Sequence, residues 1–118
     1  MIIGTGIDII ELNRIEDIMK RNARFAKKIL TKKEEELLLQ KTSQLKKCEF
    51  LAGRFAGKEA FAKALGTGIG KVSFHDIEIL SGPDGEPTIT FKQAHRFNIH
   101  ISISHSRTYA IAQVILER

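Results

Sequence analysis

The chain has 118 residues, 42% hydrophobic and 28% charged, which fits one small globular domain over 1–118 and leaves no room for separate catalytic and cofactor domains. Its 19 basic residues against 14 acidic ones give a net charge of +5, which favours nucleic acid, phosphorylated metabolites or an acidic protein without choosing among them. With Cys48 as the only cysteine, an intrachain disulfide and a thiolate metal cluster are both excluded, as expected of a reducing compartment.

Residues 2–10 alternate as a strand does, with Ile3, Thr5, Ile7 and Ile9 on one face and Ile2, Gly4, Gly6, Asp8 and Ile10 on the other. The opening has no basic leader and reaches an acid at Asp8, so no export signal is expected. No apolar stretch approaches the ~20 residues that span a bilayer, and a cytoplasmic, non-membrane protein is the expectation. A short helix follows over 11–20, carrying Leu12, Ile15 and Met19 on one side. Arg21, Arg24, Lys27 and Lys28 then surround Phe25. Thr31 and Glu34 form a capping box that opens a helix over about 32–41. The longest helix is predicted over 44–65, with Cys48 a buried structural thiol inside it, and Gly66, Gly68 and Gly70 stop it. Strands are predicted over 74–80 and 87–91 around the turn 81–85, then over 99–104 and 109–116. The expected fold class is α+β: a strand, a helical middle, and a mainly antiparallel sheet around the long helix.

Two carboxylates stand out. Glu59 falls among Leu45, Cys48, Ala52, Phe55 and Ala56 on the long helix, where an unneutralised charge is costly to desolvate. Lys63 shares that face, so the plainer account is an ordinary Glu–Lys helix pair. Asp8 shares a strand face with Gly4 and Gly6, which leave space for a second element or a ligand; the plainer account is that Asp8 caps the following helix. Two isolated carboxylates on different elements suit Mg²⁺, which takes few protein oxygens and completes its shell with water and phosphate. The histidines lack the spacing of a zinc site. The glycine run 66–70 follows a helix instead of opening one, so it is not a dinucleotide fingerprint, and a phosphate near it would need a cation such as Lys63. His105, at a strand end, is placed to meet phosphate or move a proton.

The segments Gly4-Thr5-Gly6-Ile7-Asp8-Ile9-Ile10-Glu11, Phe50 to Phe61, Gly66 to Gly70 and Ile101 to Ser106 together resemble the holo-acyl-carrier-protein synthase family of phosphopantetheinyl transferases, across essentially the whole chain. The resemblance implies transfer of 4′-phosphopantetheine from coenzyme A to a serine of apo-acyl carrier protein, with release of 3′,5′-ADP. It implies that Asp8 and Glu59 hold Mg²⁺ and that Lys63 meets phosphate. Gly66, Thr67 and Gly68 shape the phosphate site, Pro87 lines the nucleotide pocket, and His105 and Ser106 lie beside the phosphates. The base for the attacking serine stays open among His105, Glu59 and a metal-bound water. The family is trimeric with sites between subunits, so Arg54 and Phe55 are expected to reach across an interface. Arg14, Ile18, Arg21, Asn22, Arg24, Phe25 and Lys28 are implied to dock the acidic carrier, as suits a basic patch around apolar anchors. Gly57 departs from the family's more usual small side chain and, with Gly53, suggests close approach by a neighbouring backbone or ligand.

Two other functions compete. A non-enzymatic nucleic-acid binder would use the positive charge, but the chain has no Trp and a single Tyr for stacking on bases. Modification of polyketide or peptide-synthase carriers would keep the fold, although the short chain favours a fatty-acid carrier.

Overall fold

The computed structural model describes residues 1–118. Strand β1 (Ile2–Glu11) leads directly into helix α1 (Leu12–Arg21), followed by α2 (Phe25–Ile29), α3 (Lys32–Leu39) and the 22-residue α4 (Gln44–Leu65). A 3₁₀ turn (Phe74–Asp76) precedes β2 (Ile77–Ser81), β3 (Pro87–Phe91), β4 (Asn98–His105) and β5 (Tyr109–Glu117). The strands form a three-stranded sheet in the order β1-β5-β4 and a separate β2-β3 hairpin, with every pair antiparallel. This matches the expected α+β class, and places the opening strand at the edge of the larger sheet.

Helix α4 starts at Ser43, whose side chain accepts from the Lys46 amide, and ends at Gly66, where φ is +84°. That left-handed terminus is open to glycine at little steric cost. Between its ends, Ala52, Ala56, Ala60 and Ala64 form a buried stripe of small residues. The inward face of β1 lies against it. A Cβ at Gly4 would overlap the carbonyl oxygen of Ala64, and one at Gly6 would overlap that of Ala60. The space above these two glycines is therefore filled by a second element, α4. Farther along α4, Gly53 and Gly57 face side chains, with a Cβ at Gly57 falling 2.7 Å from Ile79 Cδ1 and one at Gly53 falling 3.2 Å from Ile103 Cγ2. The expectation of a backbone or ligand at these two positions is corrected: branched side chains from β2 and β4 occupy the grooves.

A buried ion pair ties the helical half to the hairpin. Lys58 and Glu34 are both fully buried, 2.6 Å apart. The Lys58 ammonium also donates to the carbonyls of Ile29 (2.7 Å) and Phe74 (3.0 Å), so its three protons all find acceptors. Glu34 closes the expected capping box with Thr31 and accepts from the Ile79 amide at 2.7 Å. Desolvation pulls the Lys58 pKa down, and the Glu34 carboxylate opposes that pull.

Two boundaries differ from expectation. Residues 74–76 form the 3₁₀ turn and not a strand, because the Ser73 hydroxyl accepts from the His75 amide while the Asp76 carboxylate accepts from the Ser73 amide, which delays the extended backbone to Ile77. Leu45, expected in the apolar stripe of the long helix, lies in its first turn and is 58% exposed. Cys48 is buried, donates to the Leu12 carbonyl at 3.2 Å, and has its thiol pKa pushed up chiefly by burial. No helix is long and apolar enough to cross a membrane.

Candidate active site

The glycine–alanine contact between β1 and α4 brings the two carboxylates together. Asp8 is two residues beyond Gly6 on the same strand face, and Glu59 and Lys63 each immediately precede an alanine of the stripe. Asp8 and Glu59 line one cleft of about 220 Å³, together with Glu11, Arg14, Phe55 and Tyr109. Lys63 donates to Asp8 Oδ1 and to the Ile7 carbonyl, each at 3.0 Å. The simpler accounts of these residues are thereby excluded: α1 has no side-chain cap, and the direct ion pair of Lys63 is with Asp8 and not Glu59.

The electrostatics identify which group is short of compensation. The Glu59 pKa is raised, first by burial and then by the Asp8 carboxylate, with Lys63 acting in the opposite direction. The cleft walls thus carry three carboxylates, Asp8, Glu11 and Glu59, against the Arg14 guanidinium, with the half-exposed Lys63 ammonium engaged by Asp8, and the negative charge is in surplus at Glu59. Two hard oxygen donors from different elements, with excess negative charge and open space in front of them, fit Mg²⁺. Neither histidine nor thiolate belongs to the set.

The other expected phosphate contacts lie apart within one chain. His105 ends β4 and meets Glu49 through Nδ1 at 3.2 Å, in a cleft of about 460 Å³ that also contains Lys41, Lys46, Arg54 and Gly85. Arg54 donates to the Ile79 carbonyl and to Ser81 Oγ, each at 3.2 Å, and its guanidinium lies 4.2 Å from the Phe50 ring centre. Burial lowers the Arg54 pKa, offset by Glu34. Pro87 begins β3 opposite Ser81, and Ser81 lines the same cleft. Ser106 accepts from the amides of Thr108 and Tyr109 and shapes the β4–β5 turn. Gly66, Thr67 and Gly68 all send their amides back to the Ala62 carbonyl at the end of α4, with Gly68 also at positive φ.

Helix α1 borders the Asp8–Glu59 cleft directly, and α2 packs on its Phe55 wall. Arg14 enters its wall, and Phe25 packs on Phe55 with ring centres 6.2 Å apart, the row continuing to Phe74 at 5.7 Å. Arg21, Asn22, Arg24 and Lys28 are exposed around them, while Ile18 is half-buried. Sequence reasoning missed Glu49, Lys41 and Lys46 beside His105. Glu49 lies one turn before Gly53, on the helix face that receives the β4 isoleucines, and that spacing is the signal that could have placed it. It also missed Lys58, whose helical neighbours Leu51, Phe61 and Ala62 are all apolar and buried.

Residues 4–114 match the 4′-phosphopantetheinyl transferase superfamily. A holo-[acyl-carrier-protein] synthase of Geobacillus sp. (strain WCH70) is 59% identical over 119 aligned positions, covering 100% of this chain and 98% of the relative. The enzyme of the same name from Oceanobacillus iheyensis is 57% identical, covering 99% and 98%. Among solved structures, the holo-(acyl-carrier-protein) synthase of Bacillus anthracis in complex with CoA (3′,5′-ADP) superimposes with a TM-score of 0.91 at 48% identity, covering 99% of this chain and 97% of that one. The holo-[acyl-carrier-protein] synthase of Neisseria meningitidis gives 0.86 at 36% identity, with both chains covered in full. None of these relatives lends support to a nucleic-acid-binding role.

Proposed function

The chain belongs to the 4′-phosphopantetheinyl transferase superfamily, and from that premise we propose how its residues divide the work of the transfer. The enzyme is a holo-acyl-carrier-protein synthase, which moves 4′-phosphopantetheine from coenzyme A to a serine of apo-acyl carrier protein and leaves 3′,5′-ADP. The serine oxygen bonds to the phosphorus of the pantetheine phosphate, and the pyrophosphate bridge to 3′,5′-ADP breaks. The serine proton passes to a base.

Residues 1–118 act as one transferase domain. Asp8 and Glu59 would hold Mg²⁺, the expected metal, which supplies charge neutralisation on the pyrophosphate oxygens when bound. Lys63 keeps Asp8 in place through their ion pair and brings an ammonium to the phosphate. Glu59 from the carboxylate cleft and His105 from the nucleotide side are the two side chains proposed to take part in moving the serine proton, alongside a metal-bound water. Arg54, Phe55, Gly66, Thr67, Gly68, Pro87 and Ser106 complete the coenzyme A site. Arg14, Ile18, Arg21, Asn22, Arg24, Phe25 and Lys28 steer and seat the acidic carrier.

The division of these groups between two clefts supports a site shared between subunits of a homotrimer. The exposed outer face of β1, with Ile3, Ile7 and Ile9 at 46%, 56% and 59%, offers a surface for that assembly. A cytoplasmic setting completes the proposal.

The observation that carries this reading is the convergence of Asp8 and Glu59 on one cleft with Lys63 fastened to Asp8. Incubation with coenzyme A, Mg²⁺ and apo-carrier should add one phosphopantetheine to the carrier's mass. Unchanged carrier mass across several carriers would contradict the activity. Undiminished transfer by Asp8→Ala or Glu59→Ala would contradict the roles given to these two acids.

A further inference from the structure

Four lysines from three separate stretches of chain converge on another concavity. A cleft of about 630 Å³ opens between α2, the first turn of α3, the 3₁₀ turn and the end of β3, and Lys27, Thr31, Lys32, Lys33, His75 and Lys92 are in its walls. It shares no lining residue with the Asp8–Glu59 cleft or the Arg54–His105 cleft. All four lysines are exposed and none forms an ion pair, although Glu35 and Glu78 belong to the same walls. Glu78 is instead engaged by the Thr31 hydroxyl, which donates to it at 2.6 Å.

These walls are held in place. His75 donates from Nε2 to the Lys27 carbonyl at 2.8 Å, and the Lys92 amide donates to the Asp76 carbonyl at 2.9 Å. The fully satisfied Lys58–Glu34 pair joins the 3₁₀ turn to the ends of α2 and α3. Like charges set in a fixed concave surface focus a positive potential that raises the local concentration of anions. Ammonium groups serve as point-charge partners for phosphate, and the volume falls in the range of small-molecule sites. Four ammoniums against two carboxylates leave a surplus that a singly charged anion does not neutralise.

We propose that this cleft is a second anion site, which takes a compact ligand carrying two linked phosphoryl groups. The direct test is titration of the full-length protein, its donor site saturated with coenzyme A, with inorganic pyrophosphate while backbone amide resonances are followed by NMR. Saturable shifts are expected at Thr31, Lys32, Lys33 and His75. The double charge reversal Lys32→Glu/Lys33→Glu should weaken binding by about ten-fold or more, and Lys92→Gln on the opposite wall by about three-fold. Both variants should transfer phosphopantetheine at the ordinary rate without pyrophosphate. A parallel titration with a nucleoside 5′-diphosphate separates the two sources of this chemistry, the tighter ligand identifying which one the cleft prefers. Absence of saturable shifts with both probes, shifts confined to Lys41, Lys46 and His105, or unchanged affinity in the double variant would overturn the proposal. Shifts in this cleft caused by an acidic carrier and not by either phosphate ligand would also overturn it, in favour of a protein-docking surface.

Discussion

Helix α4 carries two lysine–carboxylate pairs whose lysines are five residues apart, and their surroundings are opposite. Lys58 and Glu34 are both sealed from water, every ammonium proton has an acceptor, and both carboxylate oxygens are hydrogen-bonded. Lys63 and Asp8 have 52% and 15% of their side chains exposed, and the neighbouring Glu59 adds a second negative charge that one ammonium does not balance. A closed, fully satisfied pair has nothing left to offer a ligand. An open pair with surplus charge does. The same residue types thus fix the architecture on one side of the helix and leave reactive capacity on the other.

The largest expected effect falls on the open side. Asp8→Ala and Glu59→Ala should each lower phosphopantetheine transfer by ~10²–10³-fold, in the range seen when a single electrostatic contact to a transition state is lost. Their urea midpoints should stay near that of the parent, so a large loss of activity coupled to unfolding would blur the contrast. Lys58→Met should do the reverse, costing about 3–5 kcal/mol in urea unfolding because Glu34 is left buried without its cation.

A smaller effect links the two sides through the strand–helix contact. Gly6→Ala would push a methyl group into the Ala60 carbonyl, and overpacking of this kind costs about 1–3 kcal/mol. Because Asp8 moves with β1, transfer should fall more steeply than stability, which parallel activity and unfolding measurements would reveal.

The smallest stability effect is expected for Lys63→Met, at most about 1 kcal/mol for so exposed a pair. Its signature is a titration. Lys63 lowers the Glu59 pKa, so removing it should raise that pKa further, whereas Asp8→Asn should lower it. A raised carboxyl pKa means that Glu59's contribution to stability is present below its unfolded pKa and is lost as pH rises through the folded value. NMR titration of the Glu59 side chain in both variants checks the two directions.

Part of this contrast was readable in the sequence. The alternation of β1 and the period of α4 set each acid on a definite face of its own element, because backbone periodicity is local, whereas the meeting of the two acids was implied only by the family resemblance. The capping box at Thr31 was equally local and appeared as expected. What stayed hidden was the second use of Glu34: capping boxes ordinarily sit at the surface, and only the arrival of Lys58 and the β2 amide buries this one. The meeting of His105 with Glu49 depends on β4 lying across α4, a contact between residues far apart in the chain that no short-range pattern encodes. The delayed start of β2 turned on side-chain capping by Ser73 and Asp76, which competes with strand pairing over just those residues.

The most direct test of the account is divalent-ion binding to the carboxylate cleft, measured with Mn²⁺ as a paramagnetic reporter in the presence of coenzyme A. A single ion per site is predicted for the parent protein, with affinity reduced by about ten-fold or more in both Asp8→Asn and Glu59→Gln, since each removes one of two charged oxygen donors. Undiminished affinity in either variant would contradict the claim that these two carboxylates hold the ion together.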